Sequence, residues 1–283
     1  MPVNLLYCEG GSKSPDIRLL TTLLAGICTV EPVGSKYGLG QVIRLARAIR
    51  TGSVIAGLRD RDFDDSDALP AHTPQPWRVE NNTIWLGWYW ERKEIENYLI
   101  DPLVVTRALG TKAPDGAAYT AALQTAAMSV ADYTAARTAL TCCRVRFAPL
   151  DDSWGVERGR DKHKFPDDRQ EADCRQSIGE VVRQYQQDQI VPEADVLNNF
   201  DALLPACRPG GQRFQHFLTF FAGKDLLWAM QTDLERFNLG TPGTFRERIL
   251  VGIENSPEDV WTWLSEWQQL RDFVKSISSN KGI

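Results

Sequence analysis

The chain has 283 residues, of which 43% are hydrophobic and 24% charged, with a formal net charge of −5. This is the composition of a folded globular protein, with room for one large domain or two smaller ones. It excludes a broadly basic nucleic-acid-binding surface, so any such contact must use a local basic patch. No apolar run approaches the roughly 18 residues of a membrane span. The first residues lack a basic region followed by an apolar core, so they do not read as a signal peptide. Six cysteines, at positions 8, 28, 142, 143, 174 and 207, are scattered without a C-x-x-C pair. Reduced thiols in a cytoplasmic protein are the expectation.

In chain order, Val3 to Cys8 is an apolar run that ends at Glu9-Gly10-Gly11 and predicts a buried strand. Ser14-Pro15 predicts an N-cap followed by Pro at the first helical position, and Ile17, Leu20 and Leu24 form a stripe widened by Leu19 and Leu23. Asp16 has two readings: an acid favoured by the first helical turn, or a metal ligand beside Glu9. Ile27 to Val33 predicts a second strand. Leu39, Val42, Ile43, Ala46 and Ile49 recur at helical spacing before Gly52. Ser53 to Leu58 predicts a third strand, which delivers Asp60 and Asp62. The β-α-β-α-β order implies a parallel sheet with right-handed crossovers.

Chemistry in such sheets gathers at the carboxyl ends of the strands, where Glu9, Asp60 and Asp62 lie. Residues two apart on a strand share a face, so Asp60 and Asp62 can converge. Packed carboxylates repel unless a cation sits between them, and hard oxygen donors favour Mg²⁺, Mn²⁺ or Ca²⁺. Asp64 to Pro76 predicts a surface loop and Thr83 to Tyr89 a fourth strand. In the following helical pattern Glu94 and Glu96 cannot share a face, while Ile95, Tyr98 and Leu99 face a core.

Beyond Asp101-Pro102 the pattern is mainly helical. Ala117 to Leu140 is alanine-rich, and Cys142 to Ala148 predicts a short strand. Arg158, Arg160, Lys162 and Lys164 either grip phosphates or form a solvated loop. Helices are expected over 171–187 and 192–204, a strand over 213–221, and a helix after Gly223-Lys224-Asp225. A final helix is expected from Ser256-Pro257, with Val260, Trp263, Leu264, Trp267, Leu270 and Val274 on one face. Its tryptophans read as packing rather than as a base-stacking platform.

Glu9-Gly10 after the first strand and Asp60-x-Asp62 after the third resemble the Toprim domain shared by topoisomerases, primases and a set of nucleases. With Glu94-Ile95-Glu96-Asn97-Tyr98-Leu99, the first hundred residues resemble the Toprim half of the overcoming-lysogenisation-defect (OLD) nucleases. They are also similar to stand-alone Toprim effectors of bacterial anti-phage systems that work beside an ABC-type ATPase. Gly223-Lys224-Asp225-Leu226-Leu227 is similar to a short lysine motif of the same proteins. The resemblance implies an α/β fold: a Toprim-like parallel sheet flanked by helices, catalytic over residues 1–105, and a mainly helical region over 106–283. It implies that Glu9, Asp60 and Asp62 bind metal, that Glu96 supports a second ion, and that Asp16 matches a further family acid. Lys224 would stabilise charge, with Lys162 or Lys164 as substitutes. The loop Gly11 to Pro15 is longer than in the family, and Leu58 stands where OLD-type sequences have serine.

Two Mg²⁺ or Mn²⁺ ions about 4 Å apart suit in-line cleavage of a phosphodiester, so a metal-dependent nuclease acting on DNA or RNA is expected, tRNA included. The chain carries no G-x-x-x-x-G-K-[ST] run, so any ATPase partner would be a separate chain. The relatives are typically homodimers. A topoisomerase or primase fits less well, because there is no zinc spacing and Tyr98 sits within an apolar pattern. The rivals are an inactive regulatory or toxin-like subunit bound to an ATPase, and a flavodoxin-like sheet with solvated acids.

Overall fold

A computed structural model describes residues 2–34, 36–66, 68–79, 83–143, 169–185 and 192–276. The first strand, β1 (Leu5–Cys8), is buried along its whole length, as expected of a strand covered on both faces. Ser14 then caps α1 (Pro15–Leu23), its Oγ accepting from the Ile17 N–H at 3.4 Å, and the helix buries Leu19, Leu20 and Leu23. The edge strand β2 (Thr29–Pro32) is largely open to solvent. Helix α2 (Lys36–Ile49) buries Leu39, Ile43 and Ala46, but Ile49 is 70% exposed, so the buried stripe stops one turn early. Strand β3 (Ile55–Arg59) returns beside β1.

The sheet is mixed rather than wholly parallel. Strand β4 (Gln75–Val79) runs antiparallel to β5 (Ile84–Tyr89), with a register shift between Trp77 and Arg78. The strand order is β2-β1-β3-β5-β4. The sequence predicts a loop ending at Pro76, from its polar and proline-containing composition, and leaves the next residues unassigned; β4 is an edge strand, where proline is tolerated. Gly57 and Gly87 pair across β3 and β5. A Cβ at Gly87, whose φ is +150°, would lie 1.9 Å from the Gly57 carbonyl oxygen, so these strands approach as closely as glycine alone allows. The sheet leads to α3 (Glu96–Leu99), one wholly buried turn, and α4 (Pro102–Leu109), capped by Asp101.

A helical series follows: α5 (Gly116–Ser129), α6 (Ala131–Cys142), α7 (Glu171–Tyr185), α8 (Glu193–Cys207), α9 (Gln212–Gln215), α10 (Phe217–Phe220), α11 (Gly223–Ala229) and α12 (Gln231–Arg236). The alanines of α6 let it pack closely on α8. Cys142 ends α6 instead of opening a strand, and the rest of that expected strand lies outside the described residues. The strand expected over 213–221 is helical. Phe214 meets Phe217 at 6.2 Å and Phe221 at 6.3 Å between ring centroids, and contacts three and seven residues apart follow a helical period, not a period of two.

Helix α13 (Pro242–Glu254), unassigned from sequence, precedes a 3₁₀ turn at Val260–Thr262 and α14 (Ser265–Lys275). The last helix therefore starts later than Ser256, whose Oγ instead accepts from the Glu258 N–H.

The chain divides into two compact units. One comprises residues 1–61, 70–113 and 246–283; the other comprises 62–69 and 114–245. Residues 246–254 of α13 and the whole of α14 fall in the unit that holds the sheet. The Val3 N–H donates to the Val274 carbonyl at 2.8 Å, and Trp88 stacks on Phe273. Among the described residues no helix is long and apolar enough to cross a membrane.

Candidate active site

Strands β1 and β3 are parallel neighbours, with Cys8 opposite Leu58, so their carboxyl ends bring Glu9 and Asp60 side by side. Glu9 Oε1 accepts from the Asp60 backbone N–H at 3.3 Å. Gly10, with φ +87°, turns the chain tightly. A Cβ there would lie 2.5 Å from Ser14 Oγ and 3.7 Å from Asp16 Oδ2. The turn therefore carries the Asp16 carboxylate back towards Gly10, the residue after Glu9, despite the long intervening loop. Burial pushes the Cys8 thiol far above its usual range, and the negative charges of Asp16, Glu9 and Asp60 add to that shift. Three carboxylates from two strand ends and one helix start thus act on one buried thiol.

The remaining sites are arranged differently. Strand β3 stops at Arg59, so Asp60 and Asp62 lie beyond it, and the shared-face argument for a strand does not apply to them. Asp62 falls in the 62–69 strip assigned to the helical unit. Glu94 precedes the single turn α3 and Glu96 opens it, so the helical-face restriction on this pair does not operate either; both are buried. Glu96 Oε1 accepts from Arg246 Nη1 on α13 at 3.1 Å. Its charge thus has a cationic neighbour 150 positions away in the chain.

Lys224, the second residue of α11, is exposed, while the adjacent Asp225 is buried and ion-paired with Arg137 of α6. Arg137 lies 5.0 Å from the Phe63 ring, next to Asp62, and 5.5 Å from Tyr133. Arg213, itself 2% exposed, donates through Nη2 to the carbonyls of Asp64 and Ser66 at 2.7 and 2.8 Å. Arg158, Arg160, Lys162 and Lys164 lie outside the described residues.

Sequence reasoning missed Lys93. Its Nζ donates to the Arg61 carbonyl at 2.9 Å, and Arg61 in turn donates from Nη1 to the Glu91 carbonyl at 2.9 Å. These two bonds fix the residue between the two aspartates to the segment after β5. The signal was present in the sequence as Arg92-Lys93 directly ahead of Glu94, to which no role was given. Sequence reasoning also missed the acid core behind α3. Glu266 on α14 accepts from the Glu91 N–H and the Tyr98 hydroxyl, both at 2.7 Å. Burial pushes its carboxyl up to about 7 against these two donors. Tyr98 is accordingly core, as its apolar neighbours predicted.

Oxygen donors at these strand ends have the chemistry that Mg²⁺ or Mn²⁺ prefers. Burial pushes the Cys28 thiol up to about 11 and those of Cys142 and Cys174 to about 12, which keeps these three protonated near neutral pH. Among the described residues no three His, Cys, Asp or Glu side chains close on one point as a metal-ligand group. No family model matches the chain, and no curated protein matches it.

Proposed function

We propose that this chain is a metal-dependent nuclease of the Toprim type, the effector of an anti-phage system with a separate ABC-type ATPase. The observation that carries this reading is the contact of Glu9 with Asp60 at the ends of adjacent parallel strands, with Asp16 turned back towards Gly10. In this proposal Glu9, Asp16 and Asp60 hold the first cation. Asp62 follows Asp60 by two residues, which limits its reach from Asp60 to about 7 Å of chain. Glu96 serves a second ion, in competition with Arg246. When bound, two divalent ions supply an activated water and neutralise the leaving 3′ oxygen. The chain's own contribution is to orient the scissile phosphate against these carboxylates, and the resemblance assigns charge stabilisation to Lys224.

The test is nucleic-acid cleavage across a Mg²⁺ titration with parent protein and Asp60→Ala. The parent should cut in proportion to occupied metal, and the variant should lose at least ~100-fold. Equal cutting by both would overturn the assignment.

A second reading, an inactive subunit that binds an ATPase, is favoured by two observations. One is the Glu96–Arg246 pair and the other is the lack of a closed ligand group among the described residues. It predicts no metal-dependent cutting by either protein and co-purification with the ATPase.

A further inference from the structure

The two motifs that fall in the helical unit, Asp62 with its acidic strip and the Gly223-Lys224-Asp225 turn, are far apart in sequence yet meet on one side chain. Arg137, near the middle of α6, pairs with Asp225 Oδ2. The same guanidinium lies over the rings of Phe63 and Tyr133. Phe63 is 6% and Asp225 1% exposed, so both contacts are made in a dry environment. A cation stacked on aromatic faces and paired with a carboxylate is held by its plane as well as its charge, which arginine can do and lysine cannot. Arg213 fixes the next residues of the strip through the carbonyls of Asp64 and Ser66, and its own guanidinium lies 4.9 Å from the Phe220 ring. Each end of the pairing is adjacent in the chain to a proposed functional residue: Phe63 to Asp62, and Asp225 to Lys224.

We infer that Arg137 is a positioning residue that locks the Asp62–Ser66 strip and the Lys224-bearing turn into one rigid piece. This explains why the lysine motif continues as Lys-Asp: the aspartate anchors the turn and leaves the lysine facing solvent. The structural lock stands on the contacts alone; its consequence for cleavage rests on the nuclease reading.

The test uses the full chain in four forms: parent, Asp225→Asn, Arg137→Lys, and Val196→Ala. Val196 is a buried α8 residue, and its truncation serves as a control for general loosening. Amide hydrogen exchange across residues 63–66 should speed up by about tenfold in Asp225→Asn and Arg137→Lys relative to Val196→Ala. Unchanged exchange would overturn the lock. Should Arg137→Lys fail to fold, the milder Asp225→Asn decides alone.

Where the parent cuts nucleic acid, Asp225→Asn should lower kcat and leave KM within about twofold. Adding it to Lys224→Ala should cost nothing further, because both act through the same amine. A multiplicative loss in the double variant would overturn the positioning role. A parent that does not cut would refute the nuclease reading, and the exchange result would still decide the lock.

Discussion

In the sheet unit the buried charged side chains are Glu91, Glu94, Glu96, Asp101 and Glu266; in the helical unit they are Arg213 and Asp225. Glu91, Glu96, Asp101 and Glu266 of the first are met by backbone N–H groups, the Tyr98 hydroxyl or arginines nearer the surface. Glu91 accepts from the Ala71 and His72 amides at 2.5 Å each, Arg92 pairs with Asp101 at 2.7 Å, and Arg246 reaches Glu96. The helical unit instead sinks guanidinium groups into its aromatic core. Burying an ion is tolerable only when its hydrogen bonds are made; among the described residues the sheet unit buries acids, whereas the helical unit buries one arginine, Arg213, and one acid, Asp225, which pairs with Arg137. The helical unit is where positive charge already does structural work on the acidic strip 62–66.

The largest break in the comparison should come from Gly87→Ala. The added Cβ would run into the Gly57 backbone, and the strands cannot separate without losing their pairing. The expected loss is more than about 4 kcal/mol, seen as failure of cooperative unfolding by circular dichroism. A well-folded variant would show that β3 and β5 have more room than the geometry allows.

Next in size is Arg213→Ala in the helical unit. It leaves the Asp64 and Ser66 carbonyls without their shared donor and opens a cavity under Phe220. Roughly 3 to 4 kcal/mol in denaturant unfolding is expected, together with faster proteolysis at 64–66. A change below about 1 kcal/mol would mean that the strip is held by something else.

These two sites also show what sequence can and cannot carry. The β1 and β3 runs, the Ser14-Pro15 cap and the glycine after Glu9 are local signals, each with a mechanism a few residues long, and they position Glu9 and Asp60 directly. Strand β4 was hidden because Pro76 disguises an edge strand as a loop. The aromatic run at 213–221 was misread because alternation and helical spacing are hard to separate over nine residues. Arg137 gave no signal at all. It sits in an alanine-rich helix, and its partners Phe63 and Asp225 are remote in sequence. The Arg246 partner of Glu96 and the Glu266 partner of Tyr98 are hidden for the same reason.

The acid core of the sheet unit makes a prediction about pH. Glu266 titrates at about 7 in the fold, above its ordinary carboxyl range, with Glu91, Tyr98 and Arg92 as its charged or polar neighbours. A raised pKa means that the folded state holds its proton while the unfolded state releases it. The stabilisation is therefore complete below the unfolded pKa and is lost as pH rises through about 7. Glu266→Gln should remove that dependence. The difference in unfolding free energy between variant and parent should grow by up to ~3 kcal/mol from pH 4 to pH 8, in favour of the variant. Parallel pH curves for the two proteins would contradict the buried-acid account.

The smallest effect should come from Arg107→Ala. Its bond to Glu258 is 3.3 Å long and both groups are partly exposed, at 38% and 57%. A change within about 0.5 kcal/mol is expected. A larger one would show that a rim pair in the sheet unit carries weight assigned here to its interior.

The central claim is that Glu9 and Asp60 form a working carboxylate site. It is tested most directly by incubating parent and Glu9→Ala with plasmid DNA, single-stranded DNA, ribosomal RNA and tRNA, in Mg²⁺, Mn²⁺ or EDTA. The account predicts cutting of at least one substrate by the parent, abolished by EDTA and by Glu9→Ala, with the variant's thermal unfolding unchanged. Cutting that survives Glu9→Ala would contradict it, as would the absence of cutting by the parent under every condition.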